Sequence, residues 1–252
     1  MRSILDLLRS ALLWLSGGLT FVVLSWLLAA SSYIVNRRIL NRLMYYYARA
    51  VLFAVRWRLV KRGEEHLRNL SGAVILVGNH VNLIDPFVIK AGLDVDFYPL
   101  ELIDHFRWPV YGRLIRALGH IPIRHGGGVS NAGSLNEAVA RLQQGDNILM
   151  LPEGHRTRDG KLGVFHRGAF KLAFSAGASI VPFSMQGLYA LQQRGSPVLR
   201  SGTVIVQIHH PLHPRDFADP EALLDAVRAV IAGDLESEAC AGLVNLCTAQ
   251  TL

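Results

Sequence analysis

The amino-acid sequence predicts an α/β fold: a mixed, largely parallel sheet flanked by helices, preceded by an N-terminal apolar membrane-attachment helix or helix pair. Three observations predict it. From Ser10 to Asn36 no residue is charged. Beyond Arg56, short aliphatic runs alternate with longer segments whose apolar residues recur at helical spacing, the alternation that buries a parallel sheet between helices. Two of the aliphatic runs end directly in loops crowded with His, Asp, Glu and Arg, as expected where strand ends open into a crevice.

The uncharged stretch holds Leu12, Leu13, Trp14, Leu15, Phe21, Val22, Val23, Leu24, Trp26, Leu27 and Leu28 and is long enough to cross a bilayer core. Gly17 and Gly18 interrupt it, so two shorter helices lying in the interface are the alternative to one spanning helix. A cleaved signal peptide would have a shorter apolar core. Arg37, Arg38 and Arg42 follow the run at once, while Arg2 and Arg9 before it are partly balanced by Asp6. The positive-inside bias then puts the rest of the chain on the cytoplasmic side of the cell (inner) membrane. At about 100° per residue, Arg38, Arg42, Arg49 and Arg56 share one helix face, and Leu40, Leu43, Met44, Tyr47, Val51, Ala54 and Val55 the other. This basic amphipathic helix either rests on anionic headgroups or packs on the following domain with its arginines solvated. Residues 1–60 thus read as a membrane-attachment segment and 61–252 as one catalytic domain.

Core strands are expected at Val74–Val77, Ile121–Ile123, Ile148–Leu151, Ile180–Phe183 and Thr203–Ile208. Ser134 and Glu137 stand at capping-box spacing ahead of Leu135, Ala138, Val139 and Leu142, with Gly145 as the stop. A second helix runs from an Asp219 cap and Pro220 through Leu223, Leu224, Val227, Val230 and Ile231 to Gly233. Net charge is +7 with a pI near 9.8, which suits an anionic partner. The mean hydropathy of +0.28 and 51% hydrophobic content favour a membrane over nucleic acid, and no nucleic-acid-binding signature is present. Cys240 and Cys247 fit no short metal-ligand spacing and read as buried or free thiols in a reducing compartment.

Two clusters carry chemistry. Gly78-Asn79-His80-Val81-Asn82-Leu83-Ile84-Asp85-Pro86 follows a strand. A turn of that spacing can bring the Asp85 carboxylate to the His80 imidazole, where it would hold the tautomer and stabilise the imidazolium as His80 takes a proton. A capped turn with a structural histidine would look the same. The second, Leu151-Pro152-Glu153-Gly154-His155-Arg156-Thr157-Arg158, puts one acid and two guanidiniums on a loop, and an arginine fork can grip phosphate bidentately. A solvated loop is the other reading. Gly119-His120-Ile121-Pro122-Ile123-Arg124 and Ile180-Val181-Pro182-Phe183 say little alone.

Together, in this order, the four blocks resemble the glycerolipid acyltransferase family that includes bacterial 1-acyl-glycerol-3-phosphate acyltransferase. Asn79-His80-x4-Asp85 and Pro152-Glu153-Gly154-x-Arg156 match its most specific motifs, and Phe165, Arg167 and Gly168 resemble the stretch after the third. The resemblance spans roughly residues 63–214. It implies that His80 is a general base and Asp85 its partner. It also implies that Asn79, Arg124, Glu153, Gly154 and Arg156 belong to the acceptor site, that Pro182 lines the acyl donor, and that no covalent acyl-enzyme forms. The implied partners are membrane lipids and a lysophospholipid acceptor. An acyl-CoA or acyl carrier protein thioester is the implied co-substrate, with no metal, resident cofactor or nucleic acid.

There are departures. Where the family commonly carries Gly-x-Ile-x-x-x-Arg, Arg124 comes one position early and His125 takes the arginine slot, and His155 and Thr157 replace common Thr and Ser. Another lysolipid or an acyl-amino-acid lipid is therefore the alternative acceptor. A lipid hydrolase is disfavoured because no Gly-x-Ser-x-Gly elbow occurs, and a catalytically dead scaffold because His80 and Asp85 are intact. Neighbouring His209 and His210 should point to opposite faces, which argues against a metal site with His213. Gly126–Gly128 has no P-loop lysine and reads as a flexible loop. Arg107, Arg113 and Arg116 read as an approach for phosphate or a solvated face.

Overall fold

A computed structural model describes residues 4–68, 70, 72–124 and 131–249, with side chains to residue 236. His125, Gly126–Gly128 and the side chains of Cys240 and Cys247 lie outside the described residues. The sheet has seven strands: β1 (Trp57–Arg62), β2 (Val74–Gly78), β3 (Phe97–Leu102), β4 (Ile121–Ile123), β5 (Asn147–Met150), β6 (Ser179–Gln186) and β7 (Gly202–Ile208). Their order is β1-β7-β6-β2-β5-β3-β4. Every pairing is parallel except β6 with β7. The expected mixed, largely parallel sheet is therefore present, and β6, β2, β5, β3 and β4 all open at one edge.

The central strand β2 is aliphatic throughout because both its faces are covered. Val74 and Leu76 join a layer with Ala48, Leu52, Val88 and Ile89, whereas Ile75 and Val77 join Ala138, Phe170, Leu172, Leu223 and Val227. The first layer is roofed by α2 (Arg37–Ala54) and α4 (Asp85–Gly92), the second by α6 (Ala132–Gln143), α7 (Gly168–Ala176) and α9 (Pro220–Ala249). The described residues also form short helices α3 (Glu65–Arg68) and α8 (Leu188–Leu191), and α5 (Pro109–Leu118).

Helix α1 (Ile4–Ser31) is continuous through Gly17 and Gly18, so the two-helix alternative for this run is not realised. Its buried residues Ser10, Leu13, Gly17, Ser25, Leu28 and Ala29 form one face. Gly17 is where it comes closest, since a Cβ there would lie 2.5 Å from Val55 Cγ1. Hydrogen bonds fix the same face: Trp14 Nε1 donates to the Pro197 carbonyl at 2.7 Å, Ser16 Oγ to that of Ala54 at 2.8 Å, and Ser25 Oγ meets Tyr47 Oη at 2.7 Å. The opposite face exposes Leu12, Leu15, Leu19, Val22, Val23 and Trp26. The helix is long and apolar enough to cross a membrane.

Three local expectations are corrected. Ser134 does not cap α6: Asn131 stands at that position, and Ser134 Oγ donates instead to the Pro122 carbonyl. Helix α9 begins at its Asp219 cap, whose Oδ1 accepts the N–H groups of Glu221 and Ala222 at 2.9 Å, but it runs on through Gly233 to Ala249. Arg56 lies beyond α2 at φ 56°, so the helical arginine stripe ends at Arg49. Arg107 pairs with Asp104, and Arg113 lies over the Tyr33 ring.

Candidate active site

Where β2 ends, the Asn79 amide clips it to β6, donating to the Met185 carbonyl at 3.0 Å and accepting the Met185 N–H at 2.7 Å. Asn82 holds the following turn, accepting the Ile84 N–H at 2.9 Å and donating to the Leu188 carbonyl at 3.1 Å. The turn delivers Asp85 to the first position of α4, where the helix dipole favours a carboxylate. Its side chain is fully buried, with Oδ2 accepting the Val81 N–H at 2.6 Å and Oδ1 the Asn82 N–H at 3.0 Å. His80 Nδ1 lies 2.7 Å from the same Oδ2. An ionised carboxylate only accepts, so Nδ1 carries the proton and Nε2 keeps the lone pair.

Glu153 braces the histidine from behind. Its Oε1 accepts the His80 backbone N–H at 2.7 Å and its Oε2 that of Gly163 at 2.8 Å. A side chain at Gly163 would force the Glu153 carboxylate to shift, because its Cβ would lie 2.8 Å from Oε2. Burial pushes the Glu153 carboxyl above its ordinary range, and the two N–H donors pull against that shift. The Thr157 N–H donates to the His80 carbonyl at 2.9 Å, so both polar groups of the His80 backbone are held. Thr157 and Gly163 act through main-chain atoms, and no sequence signal singles them out for this role.

A small cavity of about 10 Å³ at His80 is lined by Asn79, Val81, Glu153, Thr157, Gly160, Lys161, Leu162 and Leu235. Asn79, His80 and Glu153 thus meet. Arg124, Gly154, Arg156 and Pro182 do not line this cavity. Arg124 is exposed past the end of β4, its N–H and carbonyl both clasped by the Asn131 amide at 2.8 Å. Gly154 is exposed at φ 68°, and Arg156 is half-buried with its carbonyl accepting from Arg194. Pro182 is buried in β6 beside Val77 of β2. Asn79 and Glu153 spend their polar atoms on backbone partners, so their observed contacts position His80 and the strand ends. A larger cavity, about 720 Å³, lies at the opposite edge of the sheet beside Val74, Ser179, His213 and Arg215.

Among the described residues, no three His, Cys, Asp or Glu side chains gather as metal ligands. His209 Nε2 lies 2.7 Å from Asp234 Oδ2, His210 packs on His66 with ring centroids 3.8 Å apart, and His213 Nδ1 meets Ser179 Oγ.

Residues 58–186 match the family model described as Acyltransferase. The chain is 28% identical over 175 residues to a chloroplastic 1-acyl-sn-glycerol-3-phosphate acyltransferase of Arabidopsis thaliana, covering 69% of this chain and 48% of that one. It is 31% identical over 177 residues to a 1-acyl-sn-glycerol-3-phosphate acyltransferase of Chlamydomonas reinhardtii, covering 70% and 52%. It spans about half the length of these relatives. The crystal structure of the 1-acyl-sn-glycerophosphate acyltransferase from Thermotoga maritima shares the fold, with a TM-score of 0.80 at 22% identity over 92% of this chain and 97% of that one. The matched segment covers just over half of the chain and contains His80, Asp85, Glu153, Arg156 and Pro182: the chain belongs to the Acyltransferase family.

Proposed function

We propose that this chain transfers a fatty acyl group from an acyl-CoA or acyl carrier protein thioester to the free hydroxyl of a lysophospholipid, with 1-acyl-glycerol-3-phosphate as acceptor and phosphatidic acid as product. The observation that carries the reading is the contact between His80 Nδ1 and buried Asp85 Oδ2 at 2.7 Å. It leaves Nε2 to take the acceptor's hydroxyl proton as oxygen attacks the thioester carbonyl. The imidazolium then formed is stabilised by Asp85 and returns its proton to the departing thiolate. A thioester is already activated, so alignment of the two substrates supplies much of the remaining barrier reduction, about 7–11 kcal/mol in well-oriented systems.

In this reading residues 1–60 attach the chain to the membrane and 61–252 carry the chemistry. Helix α1 lies on the domain by one face and offers the other to lipid, in the plane of the cytoplasmic face of the inner membrane, where Arg38 and Arg42 meet anionic headgroups. Arg156 grips the acceptor phosphate, with Arg124 nearer the rim. Purified protein incubated with acyl-CoA and lysophosphatidate should release free thiol and form phosphatidic acid, identified by mass spectrometry. Fatty acid released in place of phosphatidic acid would make it a hydrolase, and no thiol release with any lysolipid or donor would defeat the proposal.

A further inference from the structure

The cavity at His80 has a volume of about 10 Å³, room for one water-sized atom. A phosphate with its four oxygens is too large for that space, whereas a single carbonyl oxygen fits it. Three ionisable side chains line the cavity: His80, Glu153 and Lys161. Each Glu153 oxygen is occupied by a backbone N–H, and His80 enters the reaction neutral. Lys161 is therefore the one cation in the lining among the described residues, and the proposed proton transfer does not use it.

The loop that carries Lys161 is tied to the histidine at both ends. The Thr157 N–H donates to the His80 carbonyl at 2.9 Å, and the Gly163 N–H shares the Glu153 carboxylate with the His80 N–H. Between these ties Thr157 Oγ1 accepts the Gly160 N–H at 3.1 Å and donates to the Lys161 carbonyl at 2.8 Å. Asp159 Oδ1 accepts the Lys161 N–H at 3.1 Å. Gly160, at φ 84°, lies against the Tyr189 ring, and the Tyr189 hydroxyl donates to the Arg158 carbonyl at 3.0 Å. The backbone of Lys161 is thus fixed relative to His80, while its ammonium makes no hydrogen bond or close ion pair among the described residues. The exposed Asp159 carboxylate attracts it only through screening water.

We propose that the Lys161 ammonium stabilises the oxyanion that forms on the thioester carbonyl, whose oxygen occupies this cavity during acyl transfer. The inference rests on the acyl-transfer reading. As the acceptor oxygen bonds to the thioester carbon, His80 takes the hydroxyl proton and the C=O electron pair moves onto the carbonyl oxygen. When C=O re-forms, the C–S bond breaks and the departing thiolate takes the proton from the imidazolium. The charge on that oxygen exists only between these two events, so a cation beside it favours the transition state over the neutral thioester.

The test uses purified full-length protein, acyl-CoA and lysophosphatidate, with kcat and both KM values measured. Lys161→Met should lower kcat about a hundredfold, with Tm and both KM values near wild type, because the charge it removes serves only the transition state. Lys161→Arg, which keeps a cation, should retain about a tenth of wild-type kcat. Alkylating Lys161→Cys with 2-bromoethylamine rebuilds an ammonium of similar reach and should raise kcat at least tenfold over the untreated variant, with treated wild type as the control for Cys240 and Cys247. A kcat for Lys161→Met within threefold of wild type would overturn the assignment, and so would a raised lysophosphatidate KM at unchanged kcat, which would make Lys161 a phosphate contact. Variants that all stay equally inactive, alkylated or not, would make its role structural and equally end the proposal. Wild-type protein that releases no thiol with any donor or lysolipid would overturn the acyl-transfer reading and this assignment with it, whereas wild-type transfer beside an unaffected Lys161→Met overturns this assignment alone.

Discussion

Asp85 Oδ2 accepts the Val81 N–H at 2.6 Å while lying 2.7 Å from His80 Nδ1. The carboxylate that orients the imidazole is thus itself locked by the backbone of the turn that carries the histidine. Asp85→Asn replaces an acceptor with a group half of whose polar atoms donate. Turnover should fall by about a hundred to ten thousand fold, and His80→Ala by at least as much, with unchanged circular dichroism for His80→Ala. His80→Ala retaining more than about a tenth of wild-type kcat would end the general-base assignment.

Glu153 touches the site through main-chain N–H groups at both oxygens. Glu153→Gln leaves one of the two N–H donors facing an amide NH2, at a cost of about 1–3 kcal/mol. Chemical unfolding should show that loss, and kcat should fall while the acceptor KM stays near wild type. A large rise in acceptor KM alone would return Glu153 to direct substrate contact.

Arg156→Lys keeps the charge and loses the bidentate fork. The acceptor KM for lysophosphatidate should rise far more than the donor KM, and Arg124→Ala should do the same more mildly. An uncharged monoacylglycerol is the control, because it offers no phosphate. Equal loss on both acceptors would show that Arg156 supports the loop.

On α1, Leu19 is 62% exposed and Leu13 is 8% exposed. Leu19→Asp should weaken flotation with anionic vesicles while leaving Tm unchanged, and Leu13→Asp should lower Tm by burying an unpaired charge. High salt should leave the wild type membrane-bound, since screening does not touch apolar burial. Release by salt alone would show that charge contacts dominate.

His120 has a folded-state pKa near 3, below its unfolded value of about 6.5. The unfolded chain therefore binds more protons between those values. Stability from the neutral imidazole is present above about pH 6.5 and is lost as pH falls toward 3, by up to about 1.4 kcal/mol per pH unit. His120→Asn should flatten stability against pH over pH 4–6.5 in urea titrations. Parallel curves for the two proteins would show that His120 titrates normally.

What the sequence determined alone was whatever depends on near neighbours in the chain. The apolar run of α1, the aliphatic strands β2, β4, β5, β6 and β7, the Asp219 cap and the five-residue step from His80 to Asp85 are periodicities or short spacings, so a local pattern reveals them. Strands β1 and β3 escaped because Trp57–Arg62 mixes charge into its run and Phe97–Leu102 contains Pro99 and Glu101. Their places come from partners elsewhere, β1 on β7 and β3 between β5 and β4. Tertiary structure decided the rest for the same reason. Asn79 finds Met185 across 106 residues and Glu153 finds His80 across 73, and Ser134 leaves the cap its spacing suggested for the Pro122 carbonyl. Such bonds form because buried polar groups must be satisfied by whatever the folded chain brings within reach, and a local pattern carries no record of what that will be.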